Sequence, residues 1–298
     1  MATLANVRTP ILDIAYEDAG PRDALPVALL HGYPYDIRAF DAAAAIINAA
    51  GYRTIVPYLR GYGGTRFLSA DTPRSGEQAA VGQDLLDLLD ALMIKQAVLA
   101  GFDWGARAAC VVAAIWPERV RALVTCAGYQ IQDIAVSANP SNPVQERRFW
   151  YQHYFQNERG RRGLAEHRRE LGRLLWTLWS PTWTFDGATY ERTAASFDNP
   201  DFVDIVIHSY RHRMGNAAGD PRYASLEARL ATLPRIAVPT IVLHGAADDV
   251  NPVSNSEAHA RFFTGAYERR VLENVGHNPP QEAPEAFARA VLDLCRRA

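Results

Sequence analysis

The sequence has few cysteines, and their positions suit neither a disulfide framework nor a metal site. Only three of the 298 residues are cysteines, Cys110, Cys126 and Cys295, and each lies in an apolar segment. An odd number at such wide spacing argues against a disulfide-stabilised scaffold and against the paired spacings of zinc ligands. We expect three buried thiols, no bound metal, and a protein of a reducing, cytoplasmic compartment.

The sequence also lacks an excess of one charge and any long apolar run. It has 31 Lys and Arg residues against 33 Asp and Glu residues, which gives a formal net charge of -2. No global field attracts nucleic acid or an anionic membrane surface. The first residues are interrupted by Arg8 and Asp13, and no uncharged stretch approaches the length of a membrane span. We therefore expect neither nucleic acid nor a membrane as a partner.

What the sequence does contain is a regular alternation of strand-like and helix-like segments. The apolar runs in "ILDIAYED", "PVALLHG", "YRTIVP", "AVLA" and "RALVTC" are typical of strands. Helical patterns over 36–50, 81–92 and 106–114 separate them. This order predicts an α/β protein with a mostly parallel sheet covered by helices on both faces.

The alternation breaks after Gly128. Residues 129–231 have helical periodicity, and four of the six tryptophans fall there: Trp150, Trp176, Trp179 and Trp183. The sheet pattern resumes with "VPTIVLHG", a helix over 255–263, the strand "ERRVLE" and a helix over 283–297. We predict a core domain from 1–128 and 232–298, and an inserted helical cap (lid) domain from 129–231 over an apolar pocket.

The pentapeptide "GFDWG" follows the fourth of these strands and places Asp103 at the strand-to-helix turn. A nucleophile elbow has this pattern, since the positions of Gly101 and Gly105 must be small where strand and helix approach closely. Aspartate is also a favoured residue at the start of a helix, so a purely structural cap is the alternative. The chain has no G-x-S-x-G that could serve as another elbow.

A carboxylate nucleophile determines which reactions are plausible. It is ionised at neutral pH and forms an ester when it displaces a leaving group from a saturated carbon. Hydrolysis of that ester needs a base that activates water and donors that stabilise the oxyanion. The pattern therefore favours an electrophilic alkyl substrate over the acyl substrates of esterases and peptidases.

The chain order of an elbow hydrolase is nucleophile, acid, histidine. His277, in "ENVGHNPPQEAP", follows the last predicted strand and is the candidate base. The acid should follow the preceding strand in "IVLHGAADDVNP", where Asp248 is favoured over its neighbour Asp249. Asp249 remains the alternative acid. If Asp248 is the acid, Asp249 is expected to cap the next turn.

The loop "LLHGYP" ends an early strand and supplies candidates for the oxyanion hole. The backbone N–H groups of Tyr33 and of Trp104, the residue after the nucleophile, are the expected donors. His31 and Pro34 in the same loop are candidates for substrate contact. A tight turn with a structural histidine is the alternative reading of His31.

The motifs "HGYP", "RGYGGT", "GFDWG", "GAADDVNP" and "NVGHNPPQEAP" together resemble the α/β-hydrolase superfamily, and they span residues 29–284. Aspartate in the elbow is similar to the epoxide hydrolase and dehalogenase branch. In that branch, epoxide hydrolases carry two cap tyrosines that bind and protonate the epoxide oxygen. The resemblance places them at Tyr151, with Gln152 beside it, and at Tyr210; His153 and Tyr154 are further candidates for substrate contact.

The tyrosine pair distinguishes the two kinds of substrate. Opening an epoxide leaves an alkoxide on the product, and a phenol with a pKa of about 10 is a suitable acid for it. A halide leaves as a stable anion and needs only N–H donors. Aromatic residues in a helical lid are more often packing residues, so this role depends on the resemblance.

Arg107 and Trp104 bear on the alternative substrates. The fluoroacetate dehalogenases resemble this chain in an arginine matching Arg107, which binds the substrate carboxylate, but they have a second arginine where this chain has Trp104. An indole N–H at that position occurs in haloalkane dehalogenases and in epoxide hydrolases alike. Arg107 could also form a salt bridge at the pocket rim.

The sequence thus predicts a hydrolase that opens an epoxide to a vicinal diol without cofactor or metal. A haloalkane or haloacid dehalogenase with the same triad is the alternative enzyme, and a non-catalytic ligand-binding protein of the same fold is the alternative of another class. The partner is a small epoxide or organohalide. Substrate size, enantioselectivity and oligomeric state, including a homodimer, stay open.

Overall fold

The computed structural model describes residues 2–137 and 139–297. Its described residues contain one nine-stranded sheet. The strands are β1 (Thr3–Arg8), β2 (Leu12–Ala19), β3 (Pro26–Leu30), β4 (Arg53–Pro57), β5 (Arg66–Phe67), β6 (Ala97–Gly101), β7 (Val120–Cys126), β8 (Thr240–Gly245) and β9 (Tyr267–Leu272).

The sheet is mostly parallel, with an antiparallel edge. Its strand order is β1-β2-β4-β3-β6-β7-β8-β9, and β5 pairs with β2. All pairs from β4 to β9 are parallel, whereas β2 is antiparallel to each of its partners. The carboxyl ends of β3, β6, β8 and β9 therefore meet at one edge, where an α/β sheet places its site.

Helices cover both faces of the sheet because the central strands are apolar on both sides. In β6, Val98 and Ala100 pack into one buried cluster, whereas Ala97 and Leu99 pack into the other. This alternation follows from the two-residue period of a strand. The helices are α1 (Asp41–Ala49), α2 (Gln78–Ala91), α3 (Asp103–Ile115), α4 (Ile134–Ser137), α5 (Pro143–Arg148), α6 (Trp150–Tyr154), α7 (Glu158–Trp179), α8 (Gly187–Ala194), α9 (Phe202–Arg213), α10 (Ala224–Leu230), α11 (Pro279–Glu282) and α12 (Pro284–Arg297).

Seven helices, α4 to α10, are inserted between β7 and β8, yet β7 and β8 pair directly, with Leu123 opposite Thr240. Several of the inserted aromatic residues pack against the loops at the site edge. Trp176 stacks on Tyr35 at 4.9 Å between ring centroids, and its indole N–H donates to the Pro34 carbonyl oxygen at 2.8 Å. The expected α/β class, with a mostly parallel sheet and helices on both faces, is confirmed. The division into a core domain and a cap domain stays a prediction.

Several elements differ from the sequence-based expectation, among them the short strand β5 and the first helix, whose expected start at 36 is a 3₁₀ turn, Ile37–Phe40, before α1. β1 was not expected, because its exposed edge residues show no apolar run; its backbone pairs with β2, Thr3 lying opposite Asp18. Helix α3 begins at Asp103 and not at 106. The segment Val253–Phe262 is a 3₁₀ helix in place of the α-helix expected over 255–263. None of the helices in the described part of the chain is both long and apolar enough to cross a bilayer.

Candidate active site

Asp103 lies on a sharp turn between the central strand β6 and helix α3. Its backbone has φ of 51°, in the left-handed region that residues with a side chain rarely adopt. The turn is closely packed, since a Cβ atom added to Gly105 would lie 2.0 Å from the Leu30 carbonyl oxygen. The position of Asp103 at the amino end of α3 also favours its negative charge. This geometry is that of a nucleophile elbow.

The loop after β3 lies directly against the Asp103 carboxylate. The Tyr33 N–H donates to Asp103 Oδ1 at 2.9 Å, and a Cβ atom added to Gly32 would lie 2.3 Å from the Asp103 Cβ. Glycine therefore permits the close approach of this loop. The Trp104 N–H belongs to the first turn of α3, where backbone amides have no helical acceptor. Of the two expected oxyanion-hole donors, the Tyr33 N–H thus contacts the Asp103 carboxylate, and the Trp104 N–H directly follows Asp103 in the chain.

His277 lies between two carboxylates. Its Nδ1 is 2.9 Å from Asp248 Oδ2, and its Nε2 is 3.4 Å from Asp103 Oδ2. Asp248 is oriented by its own loop, since its Oδ1 accepts from the N–H groups of Val250 (3.0 Å) and Asn251 (2.8 Å). The structure therefore brings together the three side chains that the sequence separates by up to 174 residues, from Asp103 to His277.

The charges of this group are strongly coupled. Burial disfavours the imidazolium form of His277, but Asp248 and Asp103 outweigh it and raise the pKa of His277 to about 10. Burial alone would raise the pKa of Asp103, but His277, Arg107 and the Tyr33 amide lower it below its usual value. At neutral pH the site therefore holds an Asp103 carboxylate beside a His277 cation.

Asp248 and Asp249 are adjacent in the sequence but have different environments in the structure. The side chain of Asp249 is 42% exposed and forms an ion pair with Arg148 at 3.1 Å, whereas that of Asp248 is 3% exposed and faces His277. Of the two alternatives left open by the sequence, the geometry favours Asp248 as the acid.

Substitutions at these neighbours should differ sharply in effect. Asp248→Asn is expected to lower kcat by about 10²-fold, because an amide cannot balance the His277 cation that forms during ester hydrolysis. Asp249→Asn, the matched control one residue away, should leave kcat within about twofold, because an exposed ion pair contributes little. Steady-state kinetics measures both, and equal losses in the two variants would contradict the assignment.

Tyr151 and Tyr210 lie together near the elbow, where Tyr151 lines the large cavity and Tyr210 does not. Their ring centroids are 5.3 Å apart, and Tyr210 also contacts Trp104 at 5.8 Å. Gln152 donates to the Tyr151 hydroxyl at 3.0 Å. Burial raises the pKa of Tyr151 to about 12, although Arg213 and Gln152 partly offset this, and it raises the pKa of Tyr210 as well. Both phenols are therefore protonated at neutral pH and can donate.

Two cavities adjoin Asp103. The larger, of about 730 Å³, has Asp103 and Arg107 in its lining, and Tyr151, Gln152 and His153 also line it. The smaller, of about 10 Å³, lies between Asp103, Asp248 and His277. The first is large enough for an organic substrate. The second has about the volume that one water molecule requires.

The structure places three of the suggested substrate-contact residues elsewhere. His31 is fully buried in a structural role: its Nε2 accepts from the Leu59 N–H at 3.1 Å, and burial lowers its pKa to about 4. The Pro34 carbonyl accepts from Trp176, and Pro34 does not line the large cavity. The Tyr154 hydroxyl faces Gly163, because the α6–α7 connection turns it away from the cavity. His153 lies at the cavity mouth, paired with Glu146 at 2.6 Å.

Two residues that the sequence did not indicate hold the loop 273–278, which carries His277 and is here called the histidine loop. The Ser180 Oγ, just after α7, accepts from the His277 N–H at 3.0 Å and donates to Glu282 Oε1 at 2.7 Å. Glu282 also accepts from the N–H groups of Gly276 (2.6 Å) and Asn278 (2.8 Å). Glu282 stands five residues after His277 in a quoted motif, but Ser180 gives no signal in the sequence.

The chain belongs to the α/β hydrolase fold family, whose sequence pattern matches residues 26–284. Within that family its relatives include epoxide hydrolases, non-heme chloroperoxidases and a haloalkane dehalogenase. A structure of a Klebsiella pneumoniae subsp. pneumoniae protein, provisionally assigned as an epoxide hydrolase, matches 99% of this chain and 97% of that one, with 49% identity and a TM-score of 0.96.

Curated relatives match at lower identity. Epoxide hydrolase A of Mycobacterium tuberculosis is 25% identical over 93% of this chain and 92% of that protein. Epoxide hydrolase 3 of Siraitia grosvenorii is 36% identical, but the match covers 40% of this chain and 34% of that protein. The match with this plant relative thus spans about a third of that protein's length. This chain is an α/β hydrolase similar to epoxide hydrolases.

Proposed function

We propose that this protein hydrolyses an epoxide to a vicinal diol through a covalent ester on Asp103. The observation that carries the proposal is the meeting of two kinds of group: an ionised Asp103 carboxylate on an elbow, which lines the large cavity together with Tyr151, and the pair of protonated phenols that Tyr151 forms with Tyr210. Neither group alone specifies this reaction. Together they supply a nucleophile for the ring carbon and an acid for the ring oxygen.

In the first half-reaction an Asp103 oxygen forms a bond to a ring carbon while the carbon–oxygen bond of the epoxide breaks. The oxygen takes a proton from the Tyr151 and Tyr210 pair, which leaves a phenolate. Although burial raises the pKa of Tyr151 to about 12, this phenol remains more acidic than the alcohol that forms. The burial that raises the pKa also excludes water, which would otherwise compete for the donors.

The second half-reaction depends on a change in His277. As long as Asp103 is a carboxylate, His277 keeps its proton and cannot act as a base. Ester formation removes the negative charge of Asp103, so the pKa of His277 falls and His277 releases its proton. That proton converts the phenolate left by the first half-reaction back to a phenol. Neutral His277 then accepts a proton from water. The base is therefore available only after the ester exists.

The hydrolytic water has a suitable place in the cavity of about 10 Å³ between Asp103, Asp248 and His277. Attack on the ester carbonyl places negative charge on the Asp103 oxygen that Tyr33 already contacts at 2.9 Å. Collapse of that intermediate breaks the ester bond, and His277 gives its proton to the departing alkoxide, which leaves as the diol. The carboxylic acid left at Asp103 then passes its proton to His277, which restores the carboxylate and the cation of the resting site.

Isotope incorporation in a single turnover tests the proposal. Excess protein is mixed with styrene oxide in H₂¹⁸O, and the diol and the tryptic peptide containing Asp103 are analysed by mass spectrometry. The expected first-turnover diol contains no ¹⁸O, because its new oxygen comes from Asp103, and the peptide gains ¹⁸O. A diol labelled in the first turnover would show direct attack by water and overturn the covalent route.

The alternative functions give different products in the same assay. A 1-haloalkane and fluoroacetate are included as parallel substrates. Halide release without diol formation would identify a dehalogenase and reject the epoxide proposal. No turnover of these substrates or of a panel of aryl and alkyl epoxides would favour a non-catalytic binding protein.

A further inference from the structure

A chain of hydrogen bonds runs from an arginine to the hydroxyl of Tyr151. Arg213 ends α9, and its Nη1 donates to the side-chain oxygen of Gln152 at 3.2 Å. The Nε2 of Gln152 in turn donates to the Tyr151 hydroxyl oxygen at 3.0 Å. Tyr151 and Gln152 are both buried, whereas Arg213 is half-buried and lines the large cavity. A cation is thus connected to one of the two proposed acids through a single neutral amide.

The donors and acceptors of this chain can be arranged in only one way. A guanidinium has donors and no acceptor, so Gln152 must present its oxygen to Arg213 and its NH₂ group to Tyr151. In that contact the Tyr151 oxygen accepts, which leaves its proton free for an acceptor in the large cavity, which Tyr151 lines. Without Arg213 the amide could turn over and take the Tyr151 proton with its oxygen, and Tyr151 would then have no proton directed at a substrate.

Arg213 is itself held in place by neutral groups. The Gln132 amide presents its oxygen to the guanidinium, and Nη2 of Arg213 donates to it at 3.0 Å. The Gln132 backbone is fixed by the Gln78 side chain, whose Oε1 accepts from the Gln132 N–H at 2.8 Å. The guanidinium also lies 5.2 Å from the centroid of the Tyr210 ring. These partners orient the cation without cancelling its charge, so its field extends to both tyrosines.

The charges around Tyr151 act in opposite directions on its acidity. Burial is the largest influence and raises the pKa of Tyr151 to about 12, with the Asp103 carboxylate acting in the same direction. Arg213 opposes this rise more strongly than the hydrogen bond from Gln152 does. The phenolate that remains after proton donation is buried, and a buried negative charge requires such a compensating cation.

We propose that Arg213, acting through Gln152, is a positioning residue for epoxide opening: it turns the Tyr151 proton toward the cavity and stabilises the phenolate left behind. The inference rests on the proposed epoxide hydrolase function. When that proton moves to the oxygen released from the ring carbon, the bonding pair stays on the Tyr151 oxygen. The new negative charge is met by the N–H of Gln152, which Arg213 polarises from its other end. Neither Arg213 nor Gln152 loses a proton in this step.

A purely structural role for Arg213 is the competing explanation. By contacting Gln132 and Gln152 it also ties α9 to the segment after β7 and to α6. Loss of such a tie would disturb the whole cavity and slow both half-reactions, with or without the Tyr151 hydroxyl. The proposed role affects only ester formation, and only while that hydroxyl is present.

Single-turnover kinetics with styrene oxide separates the two roles. Rapid quenching and intact-protein mass spectrometry follow the ester on Asp103 as it forms and decays. Arg213→Gln should slow ester formation about tenfold and leave ester hydrolysis within about twofold. In a Tyr151→Phe background the same substitution should change ester formation by less than about threefold, because the acid on which it acts is already absent.

Arg211→Gln is the matched control on the same helix. Arg211 also joins α9 to the α6–α7 segment, since its Nε donates to the Phe155 carbonyl oxygen at 3.0 Å and its Nη2 donates to Glu158 at 3.0 Å, but it does not line the large cavity. This variant should leave both half-reactions within about threefold. Equal slowing of both half-reactions by Arg213→Gln, or the same loss with and without the Tyr151 hydroxyl, would reject the positioning role.

A titration that needs no turnover tests the inference separately from the proposed function. Tyr151 is replaced by 2,3,5-trifluorotyrosine, a stronger acid than tyrosine, and its ionisation is followed by ¹⁹F NMR. Arg213→Gln should lower the acid dissociation constant of this phenol at least about tenfold, whereas Arg211→Gln should leave it within about threefold. An unchanged constant in Arg213→Gln would overturn the inference even if epoxides are hydrolysed, and the expected change would support the action of Arg213 on Tyr151 even if no ester were found. Circular dichroism and thermal melting verify that each variant is folded.

Discussion

With His277 replaced by glutamine, the reaction should stop at the covalent ester. Glutamine cannot accept a proton from water, so hydrolysis slows by about 10⁴-fold, whereas Asp103 remains ionised and can still attack the ring carbon. Intact-protein mass spectrometry after incubation with an aryl epoxide should show the addition of one substrate mass. Peptide mapping should place that mass on Asp103.

Two further variants test whether the added mass is an ester of Asp103 and whether its accumulation is specific to the loss of His277. Asp103→Asn in the same His277→Gln background should show no added mass, since a neutral amide is a poor nucleophile. His167→Gln, which changes an exposed histidine of α7 that does not line the cavities, should turn over normally. An adduct that persists without the Asp103 carboxylate would refute Asp103 as the nucleophile.

Removing the phenolic hydroxyls of both Tyr151 and Tyr210 should slow epoxide opening about as severely as His277→Gln slows ester hydrolysis. Tyr151→Phe and Tyr210→Phe are each expected to lower kcat/KM by about 10- to 10²-fold, because one phenol remains, and the double variant by about 10³- to 10⁴-fold. Single-turnover kinetics should locate the loss in ester formation. The loss is chemical and not structural if the melting temperature changes little.

The matched control is Tyr154→Phe, three residues after Tyr151 on the same short helix. Its hydroxyl faces Gly163 outside the large cavity, so its loss should leave kcat/KM within about threefold. If this variant lost as much activity as Tyr151→Phe, the two cap tyrosines would have been assigned in the wrong register.

The proximity of the three candidate triad residues could be predicted from the sequence because each of them sits in a short motif at the end of a parallel strand. Asp103, Asp248 and His277 follow β6, β8 and β9, and the carboxyl ends of these strands meet at one edge whatever lies between them. The sequence favours Asp248 over Asp249 only by its place in the motif, and the structure adds that the Asp248 side chain is buried against His277 whereas that of Asp249 is exposed.

Other residues depend on packing that no local pattern encodes. Arg213 reaches the cavity only because α9 lies across α6 and the elbow, and in the sequence it is one arginine among many. His31 stands in a motif at the end of a strand, yet its ring nitrogen accepts a hydrogen bond from the backbone N–H of Leu59 and does not face the cavity. Such hydrogen bonds over long sequence separations explain why a well-placed polar residue can be structural.

The hydrogen bonds of Ser180 make the position of His277 depend on the inserted helices. Ser180 directly follows α7, and its side chain joins that helix to the backbone of His277 and to Glu282. A displacement of α7 would have to carry the histidine loop along or break both bonds. The alignment of His277 with Asp103 therefore relies on contacts from the inserted segment as well as from the sheet, and a shift of one against the other disturbs it.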